Sequence, residues 1–234
     1  MGNIYKESFN TAKDIEIYEG IRIQNSVHNI SFKTLVTKLE NWDFVIPDFS
    51  QVYHWTEQQA EQLVISLLRG FPIPPIYCYT NKAGQQVILD GKQRVISLYL
   101  YYIDKFMENT TQFINQKVMQ RNGKSFRDCI ELYNLRDKRY YTRFWSEKEN
   151  DNGNSNWEVK TTEITYSKLS QPVKDRIDFS QVTMIQINVD CKNEHYRLAT
   201  LHKIAANLNV KSKPWERMVV CKPLNYFSQA IQFY

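Results

Sequence analysis

Hydrophobic positions along the chain change period several times, and each change marks an element. Ile15-Glu16-Ile17-Tyr18 and Ile21-Arg22-Ile23 alternate with period two around Gly20, the pattern of a small hairpin or edge strand within an extended lead-in over residues 1–30. Ser31 is placed to cap a helix running to Trp42, with Leu35, Val36 and Leu39 on one face. Phe44-Val45-Ile46 then reads as a short buried strand stopped by Pro47. Thr56 and Gln59 have capping-box spacing. Ala60, Leu63, Ile65, Leu67 and Leu68 supply the apolar positions of the helix that follows, and Gly70 stands where a left-handed cap ends it. Phe71-Pro72-Ile73-Pro74-Pro75 cannot continue that helix.

Ile76 to Tyr79 and Gln86 to Leu89 read as two strands around the turn Asn81-Lys82-Ala83-Gly84. Asp90-Gly91 ends the second, and a helix over about 93–104 buries Val95, Ile96, Leu98, Leu100 and Ile103. From 107 to 165 the chain turns polar, basic and rich in tyrosine. Two strands, Arg139 to Trp145 and Trp157 to Thr165, are expected to flank the loop of Asn150 to Asn156. Ser170 and Pro172 open a short helix, Val182 to Val189 has the β-branched content of a strand, and Glu194 to Asn207 reads as a helix. Strands alternating with helices make this an α/β (α+β) chain with a mixed sheet.

Composition narrows the class. With 42% apolar and 24% charged residues and seven each of Gly and Pro in 234 residues, the chain is globular, neither collagen-like nor disordered. No stretch reaches the ~18–20 apolar residues that span a membrane, and Met1 to Tyr18 lacks the apolar core of a secretory signal. Cys78, Cys129, Cys191 and Cys221 lie far apart, without a second pair to complete a zinc site, and are read as reduced thiols. A cytoplasmic protein with no membrane partner is expected. The net charge is only +5, but Lys117 to Arg143 holds eight basic residues against three acids, an excess equal to that of the whole chain. Arg121, Lys124, Arg127, Arg136, Lys138, Arg139 and Arg143, interleaved with Tyr133, Tyr140 and Tyr141, are the candidate nucleic-acid contacts. The same residues also suit a solvated helix face followed by core aromatics.

One segment carries chemistry on its face: a strand, then Asp90-Gly91-Lys92-Gln93-Arg94, then a helix. Gly91 lets an anion approach the backbone, and the first helix amides carry partial positive charge. Lys92 and Arg94 add formal charge, and Asp90 is placed to hold Mg²⁺ or orient a water. A plain strand-to-helix turn fits these five residues equally well. Glu158-Val159-Lys160 has the Glu-x-Lys shape of some metal-dependent nucleases, yet more than a hundred residues separate it from Pro47-Asp48.

Ile46-Pro47-Asp48-Phe49-Ser50-Gln51-Val52-Tyr53-His54-Trp55, the Thr56 to Gly70 helix, Phe71-Pro72-Ile73-Pro74-Pro75 and Asp90-Gly91-Lys92-Gln93-Arg94 together resemble the GmrSD-type N-terminal domain of modification-dependent restriction and phage-defence proteins. The resemblance is strongest over about 60 residues and extends loosely over 31–220, with Asn207-Leu208-Asn209 and Pro214-Trp215-Glu216 at its far end. It implies a ParB/sulfiredoxin-like fold with 107–165 as a basic insertion, a lead-in over 1–30 and a tail over 221–234. It also implies a module that binds and hydrolyses a nucleoside triphosphate with Mg²⁺ and couples this to DNA, beside a separate nuclease subunit. The alternative is a non-catalytic DNA-binding adaptor with a degenerate pocket. Carried over by position, Asp90, Gln93 and Arg94 are catalytic, Asp90 the metal ligand, and Gly91, Lys92, Gln51, Tyr53 and Trp55 nucleotide-binding. The rings of Tyr53 and Trp55 either pack the core or stack on a base. Where the family pattern has Gln-Arg, this chain has Ser50-Gln51, and Lys92 replaces a Gln. The nuclease domain that often follows is expected to be absent from this chain.

Overall fold

The computed structural model describes residues 22–46, 53–107, 120–149, 155–190 and 197–208. Its central sheet has five strands: β1 (Arg22–Ser31), β2 (Phe44–Val45), β3 (Ile76–Thr80), β4 (Gln86–Asp90) and β9 (Gln181–Asp190). The order across the sheet is β1-β9-β3-β4-β2. Antiparallel β1/β9 and β3/β4 pairs alternate with parallel β9/β3 and β4/β2 pairs, so the sheet is mixed, as the sequence predicts. The expected edge strand is longer than its alternating tripeptide suggests, because β1 pairs with β9 along all ten residues, to Ser31.

Helices cover the sheet where their apolar stripes require it. Ser31 Oγ accepts from Thr34 N at the start of α1 (Phe32–Glu40). Thr56 and Gln59 close a full capping box on α2 (Glu57–Arg69), and Gly70 ends it at φ 70°. Phe32, Leu35, Val36 and Leu39 of α1 meet Ala60, Leu63, Val64 and Leu67 of α2 in one core. Between them runs α3 (Lys92–Tyr102), which buries nearly its whole circumference. A helix enclosed on all sides has no amphipathic stripe, and α3 brings its charged first turn inside with it. A smaller core on the opposite sheet face joins Leu89, Ile187 and Val189 to Leu201 and Ala205 of the helical residues 197–208.

The region expected as a basic insertion shares the main core. Three short elements there have no counterpart in the sequence pattern: β5 (Lys105–Met107), α4 (Phe126–Glu131) and β6 (Leu135–Asp137). Phe126 is fully buried and meets Tyr99 and Trp42 edge-on, at centroid distances of 4.9 and 5.6 Å. The indole of Trp42 donates to Lys124 O (2.9 Å), Tyr101 donates to Ile164 O (2.8 Å), and Tyr140 packs on Tyr101. Among the described residues β5 and β6 pair as one two-stranded sheet, and β7 (Tyr141–Glu149) and β8 (Ser155–Glu163) form a second antiparallel ribbon that overlaps the strands expected at Arg139 to Trp145 and Trp157 to Thr165. The 3₁₀ turn Tyr166–Lys168 and α5 (Gln171–Asp178) lead into β9. Cys78 and Cys129 are buried; Cys191 and Cys221 lie outside the described residues.

Because Phe126 fastens this region to α3, Phe126→Ala is expected to lower stability by about 3–5 kcal/mol. Urea unfolding measures this; a loss under about 1 kcal/mol would mean that α4 is not part of the core.

Candidate functional site

The junction between β4 and α3 is built by its glycine. Gly91 is the residue before the helix, at φ 93° and ψ 12°, and brings no side chain of its own to cap it. By contrast Ser31, Thr56 and Ser125 each bond the amides they precede. A Cβ at position 91 would lie 2.9 Å from Arg94 Nη2 and 3.1 Å from Ile76 Cγ1, so both the turn and the packing demand glycine.

Arg94 turns back into the protein. Its Nη2 donates to Asp90 Oδ2 and to Pro75 O, each at 3.1 Å, with the side chains of Arg94 and Asp90 5% and 13% exposed. One guanidinium thus ties the Pro-rich turn, the end of β4 and the first turn of α3 together. Arg94 is therefore placed as the residue that positions Asp90.

Lys92 is 9% exposed. Burial pulls its ammonium from the ordinary 10.5 down to about 8, and the Asp90 carboxylate works against that fall. Gln93 is held from the other side, where its Oε1 accepts from His54 N at 3.1 Å. That bond brings the segment 53–55 against the first turn of α3. Tyr53 is buried, its hydroxyl 2.9 Å from Ser97 Oγ and its ring edge-on to Phe106, and burial pushes its phenol up to about 12. Trp55 is also buried, and its indole N–H is a buried donor without a partner among the described residues. Neither ring leaves a face open for a base to stack upon.

The structure therefore brings together Tyr53, Trp55, Asp90, Gly91, Lys92, Gln93 and Arg94, from segments far apart in sequence. Gln51 lies outside the described residues, as do all of 47–52. Sequence patterns miss Pro75 and His54 as contacts, because both act through main-chain atoms that side-chain motifs do not report. No group of three or more His, Cys, Asp or Glu residues gathers among the described residues, and of the junction's described side chains Asp90 is the carboxylate that could hold a metal.

The basic candidates fall into two sets. Arg127 pairs with Glu131 at 3.1 Å, Arg136 with Glu57, and Lys138 with Glu57 (3.1 Å) and Glu61 (3.8 Å). These three fasten the region to itself and to α2. Arg121, Lys124, Arg139 and Arg143 are exposed and make no ion pair among the described residues. Lys117 lies outside them.

A buried ammonium with a depressed pKa costs stability. The unfolded chain holds the Lys92 proton between pH 8 and 10.5 while the folded one sheds it, so folding stability rises with pH across that window and the full penalty applies below about 8. Lys92→Met is expected to raise stability at pH 7 by roughly 1–3 kcal/mol, with the gain fading above pH 8. Paired thermal unfolding at pH 7 and 9.5 checks this, and a destabilised variant at pH 7 would contradict it.

No curated protein and no solved structure matches the chain. The sequence does match the family described as GmrSD restriction endonuclease, N-terminal domain, over residues 32–218, which takes in every element from α1 through β9. That span covers the Tyr53–Trp55 segment, the Pro-rich turn and the Asp90–Arg94 junction that the fold assembles in one place, and the chain belongs to the GmrSD restriction endonuclease N-terminal domain family.

Proposed function

We propose that the β4–α3 junction binds the phosphate tail of a nucleoside triphosphate and hydrolyses it, within a restriction-type module that couples the nucleotide to DNA. The observation carrying this reading is the pairing of a glycine-opened helix start with a buried lysine in its first turn. A buried cation that costs stability fits a site meant to meet an anion. Family membership supports the restriction-type setting.

In this reading the amides of the first turn of α3 and the Lys92 ammonium hold the phosphate oxygens. Arg94 fixes Asp90, and Asp90 accepts a proton from the attacking water. The P–O bond to the terminal phosphoryl group breaks, releasing inorganic phosphate and a nucleoside diphosphate. Mg²⁺, arriving with the nucleotide and sharing Asp90 with its oxygens, would neutralise charge on the phosphates. The carboxamide of Gln93, anchored by His54 N, orients a water or an oxygen. Arg94 supports this from behind. Trp55 and Tyr53 serve as packed supports, with the Trp55 indole N–H a donor waiting for an acceptor.

DNA contact is assigned to the exposed cations Arg121, Lys124, Arg139 and Arg143, since Arg127, Arg136 and Lys138 already spend their charge on carboxylates. A non-catalytic adaptor with the same surface is the second reading, and it is favoured by Ser50-Gln51, which leaves the loop signature without its arginine.

Phosphate release from four triphosphates with Mg²⁺, with and without DNA, separates the two. Turnover is expected to fall about 100-fold or more in Asp90→Ala and in Lys92→Met. Wild-type release no greater than that of Asp90→Ala removes the enzymatic reading. Arg121→Ala/Lys124→Ala/Arg139→Ala is expected to weaken DNA binding and flatten its salt dependence by about one unit of slope for each phosphate left unneutralised. Unchanged affinity and slope would remove the DNA assignment.

A further inference from the structure

The β7–β8 ribbon leaves an apolar cross-strand pair uncovered and, among the described residues, a main-chain edge unpaired, and both point to the same occupant. On one face Trp145 stands opposite Val159 in register, with the two residues 57% and 50% exposed. Tyr141 and Phe144 are also exposed. Two strands alone make a marginal sheet in water, and their aromatic faces gain little from staying uncovered.

The hydrogen-bond pattern shows which edge is open. Tyr140 O accepts from Ile164 N at 2.8 Å, so even-numbered residues of the two strands face each other's main chain. Odd-numbered residues turn their N–H and C=O outward. On β7 those groups meet α2, where Tyr141 N donates to Glu61 Oε1 (2.9 Å) and Arg143 O accepts from Arg69 Nη2 (2.6 Å). On β8 the outward groups belong to residues 155, 157, 159, 161 and 163, and no strand among the described residues pairs with that edge. The edge is nine residues long and carries no proline.

Its sequence is self-complementary. About a two-fold axis through Val159, a second β8 laid antiparallel sets Glu158 opposite Lys160 of the other copy, twice over. Trp145, Val159, Val159 of the other copy and Trp145 of the other copy then form one continuous apolar row across four strands. Nucleic acid is a poor occupant, because Tyr141 to Glu163 holds three basic residues against five acids, a net charge of −2. We infer that the outer edge of β8 pairs with β8 of a second copy of this chain, centred on Val159, to give a four-stranded sheet with two-fold symmetry. The Glu158-Val159-Lys160 tripeptide thereby acts as the register key of a dimer.

Sedimentation from about 1 to 100 µM tests this, a range suited to a small interface. The mass is expected to double from 27.9 kDa as concentration rises. Val159→Pro removes an outward N–H that the ribbon itself does not use, and is expected to leave a folded monomer. Glu158→Lys and Lys160→Glu each put like charges opposite one another at both symmetric positions, and are expected to weaken the dimer about tenfold or more. The double reversal restores opposite charges and is expected to recover the wild-type association. A wild-type protein that stays at 27.9 kDa throughout, single reversals that dimerise as wild type does, or a double reversal that fails to recover overturns the inference.

Discussion

Arg94 holds the molecule's working corner together. Its buried guanidinium bridges the Asp90 carboxylate and the Pro75 carbonyl, and so joins the Pro-rich turn, the end of β4 and the start of α3 at one point. Removing one partner of such a buried pair leaves an uncompensated charge, whose cost is about 3–5 kcal/mol. The close approach of Arg94 Nη2 and Ile76 to position 91, together with the left-handed turn there, favours glycine at the start of α3. Each feature of the junction follows from that one ion pair and the enclosure of α3.

Much of this is legible in the sequence where a local rule controls the outcome. The capping box at Thr56, the stop at Gly70 and the Ser31 cap all appear where their side chains place them, because each forms within a single turn. The strand-to-helix junction is legible for the same reason, though α3 starts one residue before the expected Gln93. Elements set by distant packing are not. The start of Phe126–Glu131 has a local mark, the Ser125–Asp128 capping box, but its place in the main core is set by Trp42 and Tyr99, far away along the chain. Arg94 reads as a phosphate ligand from sequence, which shows its charge but hides the Pro75 carbonyl that receives it. The basic stretch likewise reads as one uniform patch until the carboxylates of α2 divide it.

Charge therefore does different work in neighbouring parts of the chain. Arg136 and Lys138 dock the 107–165 region on α2, whereas Arg121, Lys124, Arg139 and Arg143 stay in solvent. The ribbon beyond them is acidic overall and apolar on its faces, which suits a protein surface better than a polyanion. Lys92 is the one lysine among the described residues that the fold buries to this depth. Burial makes its charge costly to folding, and this is the property on which the proposed anion site rests.

The ionisation of Lys92 is the sharpest probe of the proposed anion site. Its ammonium can be followed by NMR on lysine-labelled protein, with and without a non-hydrolysable nucleoside triphosphate. The expected midpoint lies near 8 in the free protein and moves up toward the ordinary 10.5 when the triphosphate's negative charge arrives beside it. A midpoint already near 10.5 in the free protein, or one that the nucleotide leaves where it was, would contradict a phosphate-binding role for this corner.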